Sequence, residues 1–184
     1  MNSALRRTLT VDDYLAWAAA QPESPRTELI NGQIVFIAPE QVAHNRIKGS
    51  VCFALQRAVA DSGLEAEAFT SGATIPIEPH TAYEPDASVR LGPPLPGCDM
   101  KVPDPVVVVE VISPSSAHSD TSAKLIGYFK LPSVQHYLVI DPEARTVTHH
   151  WRGADGEVAS ATRASGALQL DPPGLTVTLA DVFG

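Results

Sequence analysis

The chain has 184 residues, of which 13 are Lys or Arg and 21 are Asp or Glu, giving a formal net charge of -8. A length in this range predicts a single domain spanning residues 1–184. With 44% hydrophobic and 18% charged residues the chain can bury a core, which excludes global disorder. The acidic balance argues against a broad nucleic-acid coat, because such binding depends on Lys and Arg side chains that neutralise phosphates.

The location of the protein is predicted from its cysteines and its apolar runs. Cys52 and Cys98 are too few for a disulfide framework and lack the paired spacing of a metal site. No apolar run approaches the ~18–20 residues that span a bilayer, and the N-terminus lacks the apolar segment of a secretory signal. We therefore expect a cytoplasmic protein with reduced thiols and no membrane partner.

A helix and a β-hairpin are the first predicted elements. The helix runs from Thr10 to Ala20 and begins with a capping-box-like pattern. Two β-prone runs, 26–30 and 33–37, then flank the Asn31-Gly32 pair, which favours a turn with positive φ at both central residues. Glu28 lies in the first arm of this hairpin, beside side chains that are expected to be buried.

A long amphipathic helix is predicted next, from about Ala43 to Asp61, because apolar residues recur there at spacings of three and four. Arg46 and Arg57 fall on its polar face, where solvation is the ordinary explanation for them. His44 and Lys48 lie on or beside the apolar stripe, which should face the sheet.

The middle of the chain predicts an α/β (mixed α+β) fold with helices packed against a sheet. Short strands are predicted at 73–77 and 86–91. The β-branched run 106–112 is typical of a central strand that is buried on both faces. A helix over 120–131 and a buried strand over 136–141 complete a strand–helix–strand unit. The remainder predicts a second hairpin and a strand-rich tail.

Three carboxylates fall on predicted strands. Glu110 follows four valines, and burying an isolated carboxylate is costly unless it is paired or binds a metal. Asp86 begins another predicted strand. If that strand lies next to the central one, Asp86 and Glu110 project to the same edge of the sheet. Glu28 is the third carboxylate. Converging carboxylate oxygens are the ligands that a hard cation such as Mg²⁺ prefers. A metal site and a structural pairing with Arg or Lys are equally compatible with this pattern.

The helix after the central strand carries Asp120, Lys124 and Tyr128 on one face. An exposed Asp–Lys pair worth a few tenths of a kcal/mol is the ordinary explanation. It does not explain why the helix starts where the strand with Glu110 ends. A lysine at this place can orient a water or neutralise charge on a phosphate.

Taken together, these residues resemble the Uma-type restriction-endonuclease family of the PD-(D/E)xK nuclease superfamily. The resemblance extends from about Thr8 to Pro142 and rests on an ordered series: Glu28 ahead of Asn31-Gly32, His44, Pro85-Asp86, the stretch Glu110 to Ser115, Asp120, Lys124, Tyr128, and Tyr137 to Pro142. It implies a restriction-endonuclease-like core, in which helices flank a central mixed β-sheet. It also implies a site that uses Mg²⁺ or Mn²⁺ to hydrolyse phosphodiester bonds in DNA.

The resemblance carries roles over residue by residue. Asp86 matches the aspartate of the PD motif, Glu110 the acidic residue of (D/E)xK, and Glu28 an additional acidic residue, all three as metal ligands of a catalytic site. The superfamily pattern would place its lysine at position 112, where this chain has Ile112. In the Uma-type pattern the lysine appears on the following helix instead, where Lys124 matches it.

Further polar residues are accessory candidates. His44 can contact a phosphate or a carboxylate of the site, although packing is the commoner role for a lone histidine on a helix. Asp120 and Tyr128 are expected to position Lys124 or to pack beneath it. The adjacent pair His149-His150 points to opposite faces of a strand, which argues against a shared ion.

Three functions are compatible with the sequence: a metal-dependent endonuclease acting on DNA, an inactive nuclease fold that binds DNA or protein, and a metal-dependent hydrolase of a small phosphodiester. Every residue type that the site needs is present, which argues against the inactive fold. The acidic charge and the lack of a recognisable helix-turn-helix leave DNA binding unexplained, so the hydrolase of a small phosphodiester stays an alternative. Each bound divalent ion would add two positive charges where a phosphate approaches, so the charge of -8 does not exclude a nuclease.

A homodimer is expected, since two related sites can address both strands of a duplex.

Overall fold

A computed structural model describes residues 8–21, 23, 25–112 and 119–184 of the chain. The helices in these ranges are α1 (Val11–Ala19), α2 (Val42–Ser62), α3 (Ser119–Phe129) and α4 (Leu179–Phe183). The strands are β1 (Thr27–Ile30), β2 (Gln33–Phe36), β3 (Ala66–Thr70), β4 (Ile75–Glu78), β5 (Thr81–Tyr83), β6 (Ala87–Leu91), β7 (Pro105–Val111), β8 (His136–Asp141), β9 (Thr146–Arg152), β10 (Val158–Arg163), β11 (Ala167–Leu170) and β12 (Leu175–Thr178).

The N-terminal hairpin forms as predicted and belongs to a small sheet with strand order β2-β1-β5-β4. Asn31 and Gly32 have φ values of 50° and 76°, the conformation that a tight turn between twisted strands needs. The pairing of β1 with β2 places Glu28 opposite Val35. β2 is an edge strand of this sheet, and Phe36 at its end is 61% exposed.

The central sheet is mixed and six-stranded, with strand order β10-β9-β8-β7-β6-β3. β7 and β8 are parallel and are joined through α3, whereas the other neighbouring strands are antiparallel. This arrangement confirms the predicted fold class and its strand–helix–strand unit, because parallel neighbours need a crossover connection. The predicted second hairpin is β9–β10, and the tail forms a two-stranded sheet of β11 and β12 followed by α4.

The two faces of β7 are buried in different hydrophobic clusters. Val107, Val109 and Val111 pack in the cluster that contains the apolar face of α2. Val108 packs in the other cluster, with Tyr128 of α3. Because side chains alternate along a strand, this explains why the valine run is nearly unbroken.

The long helix α2 ends at Gly63, whose φ of 67° gives the left-handed cap that glycine favours. Lys48 lies on its inward side and is buried, as its place beside the apolar stripe predicts, whereas Arg46 and Arg57 are exposed. In the described ranges, none of the helices combines the length and hydropathy that crossing a lipid bilayer requires.

Candidate functional site

A cleft of about 520 Å³ lies where the hairpin β1–β2, the first turn of α2 and the ends of β6 and β7 meet. Its lining contains the three carboxylates that the sequence singles out, together with the lysine and the histidine: Glu28, Asp86, Glu110, Lys124 and His44. Three strands and two helices far apart in the chain therefore supply side chains to one space.

Glu110 enters the cleft from β7, the most deeply buried strand of the central sheet. Its carboxylate oxygen Oε1 lies 3.0 Å from Lys124 Nζ and accepts a hydrogen bond of 2.7 Å from the Tyr128 hydroxyl. Burial raises the pKa of Glu110 to about 7, against the opposing charge of Lys124. Glu110 is thus held by two groups of α3, one charged and one neutral.

Glu28 shares the same lysine. Its Oε1 lies 2.9 Å from Lys124 Nζ and also accepts a hydrogen bond of 2.9 Å from the backbone N–H of Glu84. Burial alone would lower the pKa of Lys124, but the negative charges of Glu110 and Glu28 outweigh that effect and raise it above its ordinary value. Lys124 is therefore a fixed cation between two carboxylates.

A glycine one turn after Lys124 brings α3 close to the site. A Cβ on Gly127 would lie 2.6 Å from a ring carbon of Tyr83, so only glycine allows this approach. Tyr83 and Tyr128 pack edge to face with ring centroids 5.3 Å apart, and Lys124 Nζ lies 5.7 Å from the centroid of Tyr83. This aromatic support fixes the positions from which Lys124 and Tyr128 reach Glu110.

Asp86 is fixed by the backbone of the neighbouring strand. Its N–H donates to Val109 O at 3.0 Å, and its Oδ2 accepts from the N–H of Val111 at 2.8 Å. These bonds place Asp86 beside Glu110 at the end of β7. The two carboxylates are held from opposite faces of the sheet, since α2 contacts Asp86 and α3 contacts Glu110.

A second lysine neutralises Asp86. Lys48 Nζ lies 2.8 Å from Asp86 Oδ1 and 2.7 Å from Glu40 Oε1, and His44 Nε2 lies 3.4 Å from Asp86 Oδ2. Burial would raise the pKa of Asp86, but His44 and Lys48 together with the Val111 N–H lower it to about 2. Asp86 is accordingly an anion over the whole physiological range of pH.

One group of described side chains has potential ligand atoms that all lie within 4.8 Å of one another: Glu40, His44 and Asp86. Glu40 is also bound by Arg26, whose Nη1 lies 2.7 Å from Glu40 Oε1 and whose Nε lies 2.6 Å from Glu84 Oε1. Arg26 thus ties the start of the hairpin to the segment that leads into α2.

Donor chemistry decides whether a divalent cation suits this cleft. The carboxylates of Glu28, Asp86 and Glu110 supply only oxygen, the donor that Mg²⁺ prefers and that Mn²⁺ also accepts. Each of them already lies within 3.0 Å of a lysine Nζ. The oxygen donors of Glu28, Asp86 and Glu110 therefore fit a divalent ion by their chemistry, whereas the described side chains whose ligand atoms already lie within 4.8 Å of one another are Glu40, His44 and Asp86.

The structure brings together Glu28, Asp86, Glu110, Lys124, His44 and Tyr128. Tyr128 donates to the same oxygen of Glu110 that Lys124 contacts. Ser113–Ser115, part of the stretch that carries the resemblance, and the side chain of Asp120 lie outside the described residues.

Sequence reasoning missed Glu40, Arg26 and Glu84 and did not include Lys48 in the site. Lys48 had a usable signal, because it lies one turn after His44 on the inward side of the helix. Glu40 and Arg26 lie just before regular elements, where no hydrophobic period distinguishes a site residue from a surface residue.

The expected family is confirmed by comparison with known proteins. The family model Uma2, described as "Putative restriction endonuclease", matches residues 11–180, and the chain belongs to this family. A crystal structure described as "a putative nuclease belonging to DUF820 from Anabaena variabilis ATCC 29413" superposes with a TM-score of 0.71 and 20% identity, over 95% of this chain and 97% of that one. At this identity the likeness shows the fold.

A relative from Synechocystis sp., named "Uncharacterized protein sll1609", is 29% identical over 155 residues, which are 83% of this chain and 85% of that protein. The family model supports a nuclease function in general terms.

Proposed function

We propose that the protein is a divalent-metal-dependent endonuclease that hydrolyses phosphodiester bonds in DNA, with its site in this cleft. The observation that carries the proposal is the convergence of Glu28 and Glu110 on Lys124 in the cleft that Asp86 also lines. Among the described residues, five carboxylates line the cleft against two permanently charged cations, Arg26 and Lys124, which is more negative charge than pairwise compensation of buried ions would favour.

Glu28, Asp86 and Glu110 are the residues that would hold Mg²⁺ or Mn²⁺. The chemistry that a bound divalent ion supplies is polarisation of the scissile phosphate and a lowered pKa of a bound water. Their fixed hydrogen bonds, from the N–H groups of Glu84 and Val111 and from Tyr128, keep the oxygens oriented. Such orientation avoids reorganisation during the reaction.

Lys124 is proposed to orient a water or to stabilise negative charge that develops on the phosphate. Its raised pKa keeps it protonated, so it acts as a cation and as a hydrogen-bond donor rather than as a base. Its two carboxylate partners leave a third ammonium proton for a substrate oxygen.

DNA as the substrate is supported by the extent of the groove around the site. A second, more open cavity of about 930 Å³ shares Arg26, Phe36 and Glu40 with the cleft. Together the two cavities can hold more than one nucleotide, and exposed Phe36 offers an aromatic surface on which a base can stack. The acidic cleft predicts weak DNA binding until a divalent ion is present.

Three broader parts of the proposal follow from the sequence. We propose that residues 1–184 act as one domain, that the protein works as a homodimer so that two sites address both strands, and that it is cytoplasmic. Its two free cysteines, buried Cys52 and exposed Cys98, are compatible with a reducing compartment. Sedimentation of the purified protein tests the dimer directly.

The test incubates supercoiled plasmid, labelled duplex DNA and a small phosphodiester with the protein in Mg²⁺, Mn²⁺ or EDTA. We expect nicking or linearisation of DNA with either ion, none in EDTA, and loss of cleavage in Asp86→Ala and Glu110→Ala. Far-UV circular dichroism checks that both variants are folded.

Two results would contradict the proposal. Turnover of the small phosphodiester without cleavage of DNA would assign a small phosphate compound as the substrate. Absence of both cleavage and metal binding, the latter measured by calorimetry, would make the protein an inactive module with a nuclease fold.

A further inference from the structure

We propose that Glu40, His44 and Asp86 form a second metal site, which contains a nitrogen ligand and selects a first-row transition-metal ion such as Mn²⁺ over Mg²⁺. This inference extends the proposed function, on which it rests, because Asp86 belongs to both ligand sets. It differs from that proposal in the residues, in the donor atoms and in the metal that they favour.

The geometry of the three side chains is the first observation. Their potential ligand atoms lie within 4.8 Å of one another, a spacing from which a single ion can be reached by small side-chain rotations. Glu40 lies just before α2 and His44 in its first turn, and Asp86 faces them from the residue that precedes β6. The ligands therefore come from two segments that the fold holds together.

The state of His44 is the second observation. Its side chain is 11% exposed, and among the described residues neither ring nitrogen has a hydrogen bond of good geometry. Both nitrogens are inaccessible to solvent. Leaving a buried polar group without a partner is costly, and Nε2 lies 3.4 Å from Asp86 Oδ2, on the side where an ion would be bound. A metal ion supplies the partner that this imidazole lacks.

Lys48 provides the third observation, because it already holds a positive charge at this place. Its Nζ bridges Asp86 Oδ1 at 2.8 Å and Glu40 Oε1 at 2.7 Å. Two of the three proposed ligands are thus arranged around a cation in the absence of a metal. Lys48 would compete with a metal ion for these oxygens, so the lysine sets how tightly the ion binds.

The donor set determines the preferred metal. An imidazole nitrogen beside two carboxylates favours first-row transition metals over Mg²⁺ and Ca²⁺, which favour oxygen donors only. Glu28 and Glu110 form the all-oxygen side of the cleft. The two sides therefore predict different metal preferences around a shared Asp86.

Mn²⁺ alone is the probe for this site, with no DNA present. We expect the bound Mn²⁺ to show ¹⁴N coupling in pulsed electron paramagnetic resonance, which only a nitrogen ligand produces. His44→Phe keeps a buried ring and should remove the coupling and weaken Mn²⁺ binding by at least about tenfold. His80→Gln, which changes an exposed histidine, is the matched control and should change neither.

Lys48→Met predicts a change in Mn²⁺ affinity that is opposite in sign to the effect of misfolding. Removal of the competing ammonium should tighten Mn²⁺ binding by about tenfold and enlarge the rise in Tm that Mn²⁺ produces. A misfolded variant would lose affinity, so a gain identifies the competition itself. Mg²⁺ should displace Mn²⁺ from the wild-type protein only at a large excess.

The outcomes separate this inference from the proposed function. Nitrogen coupling that depends on His44, in a protein that does not cleave DNA, would support the site and contradict the nuclease. DNA cleavage by a protein whose bound Mn²⁺ shows no nitrogen coupling would overturn the site and leave the nuclease standing. Mn²⁺ affinity that His44→Phe and Lys48→Met both leave unchanged would also overturn it.

Discussion

Two buried polar clusters lie on the same central sheet and differ in every property that matters for function. The first is the charged cleft around Asp86, Glu110 and Lys124, described above. The second is the histidine pair His136 and His149 on β8 and β9, where His136 Nδ1 lies 2.9 Å from His149 Nε2. Both are buried, yet only the first opens into a cleft that contains opposite charges.

The histidine pair is satisfied within the protein. His136 Nε2 lies 2.8 Å from Pro172 O, which can only accept, so this nitrogen donates and Nδ1 accepts from His149. Burial lowers the pKa of His149 to about 4, and the pair is neutral at physiological pH. His150 points elsewhere and stacks on Tyr137, as the alternation of a strand predicts.

The two clusters differ in whether their buried polar groups are neutral or charged. Neutral groups that satisfy one another through hydrogen bonds stabilise a fold, whereas an excess of like charges beside a cleft costs stability and is retained for chemistry. Substitutions should therefore have different consequences in the two clusters. Those in the charged cleft should affect activity, and those in the histidine pair should affect stability alone.

The largest effect is expected from Lys124→Met, which keeps the side-chain volume and removes the charge. Glu28 and Glu110 would then lack their shared cation, and the free energy of unfolding should fall by about 3–5 kcal/mol. DNA cleavage should fall at least about hundredfold. Urea denaturation and single-turnover cleavage measure the two effects. A variant with wild-type cleavage would remove Lys124 from the chemistry.

A smaller effect on stability is expected from His149→Leu. The change leaves His136 Nδ1 without its donor, which should cost about 1–3 kcal/mol. Cleavage by the folded variant should stay within twofold of the wild-type rate. Loss of cleavage at a temperature where the variant is folded would erase the distinction between the two clusters.

The histidine pair also predicts a pH dependence. The pKa of His149 is lowered to about 4 in the folded protein, so the unfolded chain, with an ordinary value of 6.5, binds the proton more readily. Its stabilising contribution is complete above pH 6.5 and is lost as the pH falls through 4. After allowance for solvent screening, this loss is about 1–2 kcal/mol.

Urea denaturation between pH 7 and pH 4 measures that loss. The comparison of wild type with His149→Leu removes the contribution of carboxylates, including Glu110, whose raised pKa acts in the opposite direction. The wild type should lose more stability than the variant over this range. Equal slopes would show that His149 does not titrate as its burial requires.

The smallest effect is expected at the rim of the cleft, from Phe36→Ala. Its ring is exposed, so its removal should not change the free energy of unfolding by more than about 0.5 kcal/mol. If a base stacks on it, KM for DNA should rise about fivefold, which is the weak end of base–aromatic stacking. Steady-state kinetics with duplex and single-stranded DNA measure the change. Val158→Ala, which removes an exposed side chain from the edge strand β10 outside the lining of both cavities, is the control and should leave KM unaltered.

The parts of the fold that sequence reasoning predicts correctly are those with strong local patterns. The Asn31-Gly32 turn, the α2 periodicity and the valine run of β7 each report their own structure. The strands β3 and β5 escaped prediction because both are short and lack a clear alternation of apolar and polar residues.

The site residues likewise fall into those that the sequence predicts and those that only the tertiary structure reveals. Glu110 could be found from sequence because a carboxylate within a buried strand conflicts with packing. Glu40 and Arg26 could not, since their roles depend on how the hairpin docks beside α2, and that is a tertiary arrangement. The pairing of Lys48 with Asp86 likewise depends on the contact between α2 and the central sheet.

The proposed function assigns metal-dependent cleavage to the charged cleft and no part in it to the histidine pair. The most direct test is plasmid cleavage by wild type, Asp86→Asn and His149→Leu, with Mn²⁺ and with EDTA, at a temperature where all three are folded. The predicted result is cleavage by wild type and His149→Leu with Mn²⁺ and none by Asp86→Asn. Cleavage by Asp86→Asn at the wild-type rate, or undiminished cleavage in EDTA, would contradict the claim.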